Sequence, residues 1–351
     1  MLTKVKVVLA LCLCQLLFAG YAVLSKLSLN TGMDPGLFVL VRDVNTAWIT
    51  AVASRGSLKS WRWPEPRDQL PFFALGALGL YFGQYFSVQG IKYGTPVLAG
   101  TWQNVIPAAT FVVGLALGTE KVQCNTPSIL QVAGVALGVS GAVATSYSPE
   151  VSASGGSTAK ACVFYALQVL FGGAGFWHLQ KRLLTAGYRS IEVVAWYYFY
   201  GVVLMGMVVL PSALEPSLWR FTEADWIALA YGVVAWPLAA FLLAWSNSMA
   251  TPVTVMALSP MQIVFTLGIE IAWGKRSAFG STMQCAGIAA VVMGLASFVA
   301  GYAMKNGNDK KIQKQEVHRS KRLVDEVETV AEGGNHEGLA SRLLSDPVQH
   351  R

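Results

Sequence analysis

Residues 103–122 read QNVIPAATFVVGLALGTEKV. Most of this stretch is apolar and suited to lipid, and it ends abruptly at Glu120-Lys121. Yet it opens with an amide pair, Gln103 and Asn104, and places Pro107 one turn later. Proline carries no N–H, so a proline at 107 leaves the carbonyl of Gln103 without its helical donor. In hydrocarbon such a group costs several kcal/mol, and irregular backbone at membrane depth is confined to sites buried in protein or facing water. Read as one helix, Gly100, Gln103, Pro107, Thr110 and Gly114 share a face, with Val112, Val113 and Leu117 largely elsewhere. Two readings stand: a polar cavity served by the freed carbonyl and the amides, or interhelical glue around a tolerated kink.

The rest of the chain sets this stretch in a membrane. Of 351 residues, 54% are hydrophobic and only 13% charged, where a soluble domain carries about 25% charge. Mean hydropathy is +0.48. A helix needs roughly 20 apolar residues to cross a bilayer. Ten windows qualify: about 7–29, 35–54, 70–91, 96–118, 127–148, 160–180, 193–214, 226–246, 251–273 and 278–303. The expected fold class is therefore all-α, a polytopic membrane protein with ten transmembrane helices. The start, MLTKVKVVLALCLCQLLFAGYA, has the look of a secretory signal, but its apolar character runs on to Leu29, so it reads as an uncleaved first helix.

Several function classes fall away. The formal charge of +7 is scattered over short connections, which is no footprint for nucleic acid. The five cysteines have no metal or redox spacing, three of the four histidines lie in the tail, and no Gly-Lys phosphate loop occurs. No cofactor or metal is expected, and neither enzyme chemistry nor ATP-driven transport by this chain alone.

An internal repeat organises the windows. Thr95-Pro96-Val97 opens the fourth and Thr251-Pro252-Val253 the ninth, and each is followed by a second proline, Pro107 and Pro260. Matching helices five spans apart run in opposite directions, which is the inverted-topology repeat of many secondary transporters. The expected division is 1–148 and 160–304 as two five-helix repeats, a Ser/Gly linker at 149–159, and a disordered polar tail at 305–351. Ten Lys and Arg in one set of connections face six in the other, with the basic start of the tail on the richer side, placing both termini in the cytosol.

Within the windows, polar residues are the functional candidates. Arg42 and Asp43 sit mid-helix, where charge is costly; Arg42 reads equally as an anion anchor or a structural pin. Glu270 reads as interfacial more readily than as a buried proton carrier, and His178 as interfacial. Gln15, Gln84, Gln89, Gln168, Gln180, Gln262 and Gln284 are spread over the helices, and only some can line a pathway. Trp102, Trp177, Trp236 and Trp245 fit an interfacial belt or a stacking wall, the belt being commoner. The substrate-binding set assembled from this reading is Arg42, Gln84, Gln103, Asn104, Pro107, Pro260 and Gln262.

These residues also carry a likeness. FAGYAVLSKLSLNTGMDP (18–35) followed by Arg42, NVIPAATFVVGLALGTEKV (104–122), and LLAWSNSMATPVTVMALSP (242–260) resemble the plant walls-are-thin-related, or nodulin-like, transporters. These form part of the EamA branch of the drug/metabolite transporter superfamily. The likeness covers about residues 5–304 and departs at Asp43, where the family commonly has His, and at Gly274-Lys275, where it has Gly-Glu. It implies a ten-helix carrier of amino acids, auxin-like acids or related metabolites in the plasma or vacuolar membrane. The partners implied are a small-molecule substrate and the bilayer, with transport facilitative or proton-linked; the oligomeric state is left open. The competing class is a membrane-embedded enzyme or a receptor-like scaffold without flux. Reporter tags at residue 60 and beyond 305 are expected to face the cytosol and a tag near 155 the opposite side. Tags at 60 and 155 on one side would overturn the helix count.

Overall fold

The structure is a computed structural model. It describes residues 2–56, 63–103, 105–119, 125–146, 158–256, 258–259, 261–274, 282–283, 285–301, 303–304 and 307. The linker expected at 149–159 and the tail from 305 lie almost wholly outside the described residues, as do Asn104 and Pro260.

Every regular element among the described residues is helical. Seven helices are long and apolar enough to cross a membrane: Val5–Asn30, Pro35–Arg55, Pro96–Ala116, Ala159–Thr185, Ser190–Ala213, Glu223–Met249 and Pro252–Ala272. The other three expected windows give weaker elements. The run 66–93 is helical throughout, but Tyr81, Gln84 and Tyr85 dilute its hydropathy, and Thr126–Gly141 and Cys285–Gly301 are shorter apolar helices. Large apolar side chains such as Leu9, Leu170, Met207 and Val234 point outward. That is costly in water and costless in lipid, where the solvent is itself hydrocarbon.

Packing partners recur in matched pairs. Leu2–Asn30 lies along Glu223–Met249, and the 66–93 run lies along the 158–185 run. Pro35–Gly56 packs on Ser190–Ala213. The two interrupted helices cross: Pro96–Gln103 packs on Met261–Ala272, and Ile106–Ala116 on Pro252–Met256. Two spans widen into π-helix, at Ala77–Tyr85 and Gln168–Ala174, and these wide turns face each other. There the backbones all but touch: a Cβ on Gly172 would lie 2.4 Å from the Cα of Gly83. Only glycine permits that approach.

Two lysines close helix ends in corresponding ways. Lys26 Nζ donates to the carbonyls of Ile91 (3.1 Å) and Lys92 (3.0 Å), at the end of Phe86–Tyr93. Lys181 Nζ donates to the carbonyls of Asn247 (2.7 Å), Ser248 (3.3 Å) and Ala250 (2.9 Å), at the end of Glu223–Met249. A cation at a helix C-terminus meets both the dipole and the carbonyls the last turn leaves unbonded. Each lysine thus holds the chain just before a Thr-Pro-Val, a correspondence that the proline pattern alone did not reveal.

Between these ends sits a buried ion pair. Arg42 and Asp43 are both fully enclosed; Arg42 Nη2 lies 2.7 Å and Nε 2.8 Å from Asp43 Oδ1. The guanidinium also donates to the Tyr21 hydroxyl and lies over the Trp236 ring, 4.0 Å from its centroid. Adjacent residues on a helix point about 100° apart, yet the long Arg42 side chain folds back onto its neighbour. The pair ties Pro35–Gly56 to the first helix and to Glu223–Met249. Arg42→Met would leave Asp43 buried and unpaired, and an expected loss of about 3–5 kcal/mol follows. Replacing both partners with apolar residues (Arg42→Met with Asp43→Leu) is expected to recover most of that in thermal melts of the detergent-solubilised protein. Equal loss in the single and double variants would show that the pair is not what holds these helices.

Candidate functional site

The helices surround a partly open cavity with room of about 130 Å³. Its polar lining is made of amides and hydroxyls: Gln84 and Ser87 from the 66–93 run, Gln103, Gln168 and Gln180 from the 158–185 run, and Gln262. Among the described residues no Asp, Glu, Lys, Arg or His lines it. Gln84 and Gln168 lie on the two facing π-helical turns. A π-turn spends an extra residue per turn, which re-aims the side chains that follow it, and such turns recur at functional sites. Asn247 Nδ2 donates to Gln180 Oε1 (2.9 Å) and so fixes which way that amide points. Gln168 is only 7% exposed, and its Oε1 has no hydrogen-bond partner among the described residues.

The apolar lining combines aliphatic side chains such as Leu80, Ile91 and Leu243 with an aromatic set. Phe18 and Tyr21 pack on Trp236 with ring centroids 5.0 and 4.7 Å apart. Trp177, Phe176, Tyr197 and Tyr198 follow one another at 4.9, 5.4 and 4.7 Å. All seven line the cavity. Arg42 does not. It sits behind Tyr21 and Trp236, its charge answered by Asp43, so the cavity meets the aromatic faces rather than the cation.

Among the described residues, the stretch from 103 to 122 meets the site only near its start, at Gln103 and Ile106. The helix breaks between Gln103 and Ile106, with Val105 N bonding back to the carbonyl of Trp102 (3.0 Å). Such a break interrupts the 3.6-residue period, so residues before and after it no longer share a face. Gln103 and Ile106 line the cavity, whereas Pro107 faces Gly134, Gly138 and Gly294 on the other side. The face running from Gly100 to Gly114 is corrected accordingly. The freed carbonyl of Gln103 is not left to a ligand either: Ser259 Oγ, from the opposing broken helix, donates to it (3.2 Å).

Of the seven residues expected at the site, Gln84, Gln103 and Gln262 line the cavity; Arg42 backs its wall; Pro107 turns away; Asn104 and Pro260 lie outside the described residues. Gln168, Gln180, Ser87 and the aromatic set were missing from that group. The glutamines stood among the scattered amides, but their shared cavity depends on which spans face each other. Trp177 and Trp236 form wall, not interfacial belt. Glu270, read as interfacial, is buried. His178 Nε2 lies 3.0 Å from the carbonyl of Thr110, which joins the 158–185 run to the second part of the broken helix. Among the described residues no three of His, Cys, Asp or Glu gather as a metal site would require.

Comparison with known proteins agrees with this architecture. Residues 5–147 match the EamA-like transporter family. A WAT1-related protein of Arabidopsis thaliana is 26% identical over 278 residues, 74% of this chain and 73% of its own length. A second is 24% identical over 394 aligned positions, 99% of this chain and 94% of its own. Protein WALLS ARE THIN 1 of the same plant is 24% identical over 83% of this chain and 82% of its own length. One solved crystal structure superposes with a TM-score of 0.60 at 18% identity, over 83% of this chain and 96% of that one, which speaks to the fold alone. Residues 5–147 thus carry an EamA-like transporter domain, and the multi-pass membrane chain is similar to plant WAT1-related proteins along most of its length.

Proposed function

We propose that this chain is a secondary transporter of small polar metabolites, working by alternating access between two inverted five-helix halves, 1–148 and 160–304. The observation that carries the reading is the amide- and aromatic-lined cavity, walled by helices from both segments and bordered by the two crossing, interrupted helices. The matched packing partners support two halves related by a two-fold, and broken helices in corresponding positions are where such carriers bind substrate. Ten membrane helices, cytosolic termini, and residence in the plasma or vacuolar membrane complete the proposal. Amino acids and auxin-like acids are the substrate classes that the family likeness brings forward.

In this reading Lys26 and Lys181 are clasps at opposite ends of the pathway. Each ties the first helix of a half to the end of its third, beside the start of the broken helix. Alternation requires one clasp to hold while the other yields.

Purified chain in liposomes is expected to equilibrate at least one radiolabelled member of a panel of amino acids, indole acids and nucleobases. Absence of any flux across the panel, with folded protein present, would count against transport. Gln103→Cys and Gln84→Cys, in a background without the native cysteines, are expected to be protected by the transported compound, and Pro107→Cys is not. Protection at 107 alone would move the pathway to the other face of the broken helix. Lys181→Met is expected to speed modification of a Leu243→Cys variant by a membrane-impermeant reagent added on the Lys181 side, whereas Lys26→Met leaves that rate unchanged. Equal effects of the two would rule out separate clasps.

A further inference from the structure

Three lysines converge where the first helix meets the end of the 66–93 run. Lys26 lies one turn beyond Ala22, and its Nζ donates to the carbonyls of Ile91 (3.1 Å) and Lys92 (3.0 Å). Ala22, Ser87 and Ile91 line the cavity, so these lysines stand at its rim. The Lys92 ammonium lies 5.9 Å and the Lys160 ammonium 5.7 Å from the centroid of the Tyr93 ring, which stacks on Phe164. A ring attracts an ammonium without neutralising it, so both cations keep their charge. Two like charges about one ring repel each other, and an anion between them would relieve that repulsion. Lys92 and Lys160 are exposed, and among the described residues no carboxylate pairs with either. Two acidic residues at the same end are engaged elsewhere: Asp225 accepts from Ser28, Thr31 and Thr222, and Asp34 from the Leu37 N–H. Only six Lys and Arg belong to the connections of this end, against ten at the other, yet three of the six meet at this rim.

We propose that Lys92 and Lys160, with the clasped Lys26 beneath them, form an anion-collecting mouth that captures the carboxylate of a small solute at the rim of the cavity. Held between two ammoniums, a carboxylate accepts charge-assisted hydrogen bonds, while the rest of the solute reaches past Ala22 and Ile91 toward Gln84 and Gln103. An ammonium is a compact point charge on a flexible stem, so the mouth selects by charge rather than by shape. Both segments of the chain contribute to it, and the packing of Phe86–Tyr93 on Thr158–Leu167 brings Lys92 and Lys160 together. The inference rests on the transporter reading and deepens it: solutes carrying an extra carboxylate enter from this end ahead of neutral ones of equal size. A cleft bearing one sign of charge between low-dielectric walls speeds the arrival of the opposite charge by about 10–10³-fold.

The test reads the mouth and the transport separately, on the full-length chain. With the native cysteines replaced and Ser87→Cys introduced, an anionic and a cationic methanethiosulfonate of similar size are compared, in detergent solution and in phosphatidylcholine liposomes. The ratio of their rates cancels any change in access. Lys92→Gln with Lys160→Gln is expected to shift that ratio toward the cation by about tenfold. Salt at about 1 M, where the screening length is about 3 Å, is expected to do the same, and Lys92→Arg with Lys160→Arg to keep the native ratio. An unchanged ratio in the Gln double variant, or no reaction of Ser87→Cys with either reagent, would overturn the mouth. A shift seen in detergent and lost in liposomes would mean that lipid phosphates fill the site, which overturns it as a solute entrance. Radiolabelled glutamate and glutamine, which differ by one carboxylate, are then compared for uptake into the liposomes. The Gln double variant is expected to raise the KM for glutamate by about tenfold, leaving its kcat and the KM for glutamine unchanged. Equal changes for the two amino acids would overturn selection by charge and leave transport standing. A shifted reagent ratio with no flux of either amino acid would support the mouth and count against the transporter reading.

Discussion

A helix broken inside a membrane has to hand its loose backbone groups to something other than lipid. Here the debt of Pro107 is met by Ser259, whose hydroxyl donates to the Gln103 carbonyl from the opposing broken helix. The second break therefore supplies the donor that the first one lacks, where the two spans cross. Once Gln103 is relieved of its backbone problem, its side chain is free to serve the cavity.

The second constraint is the placing of charge. An arginine and an aspartate within a bilayer are costly apart and tolerable together. Here they neutralise each other one layer behind the aromatic wall. The consequence runs outward: Tyr21 and Trp236 are held in fixed positions by a cation they share, and the cavity they line is polar without being ionic. Lysines at the helix ends follow the same economy, because each ammonium is absorbed by terminal carbonyls rather than offered to the interior.

Much of this was legible beforehand. Low charge, long apolar windows and the paired Thr-Pro-Val signals sufficed for an all-helical membrane chain with an interrupted helix in each segment. Gln84, Gln103 and Gln262 were recoverable because an amide in hydrocarbon demands a reason. What stayed hidden depended on a rotation or on a distant neighbour. The face assigned to Pro107 assumed unbroken periodicity, and the break removed it. Arg42 was ambiguous because nothing local says that Asp43 will be its partner rather than a ligand's carboxylate. Gln168 and Gln180 required knowing that the 158–185 run lies against 66–93, and a contact between spans so far apart leaves no trace in a single sequence. The two π-turns likewise arise where Gly83 and Gly172 meet, and neither glycine announces its counterpart.

That meeting has a mechanical consequence. Where two helices touch through bare backbone there is no side chain to compress, swing aside or repack, so the seam between Gly83 and Gly172 has no slack. The 66–93 and 158–185 runs can roll about such a point but cannot slide through it. A roll that is negligible at the seam grows with distance along each rod, and it is greatest at the ends, where Tyr93 stacks on Phe164 and where Lys181 grips its carbonyls. The glycine contact is a fulcrum, and the helix ends are its long arms.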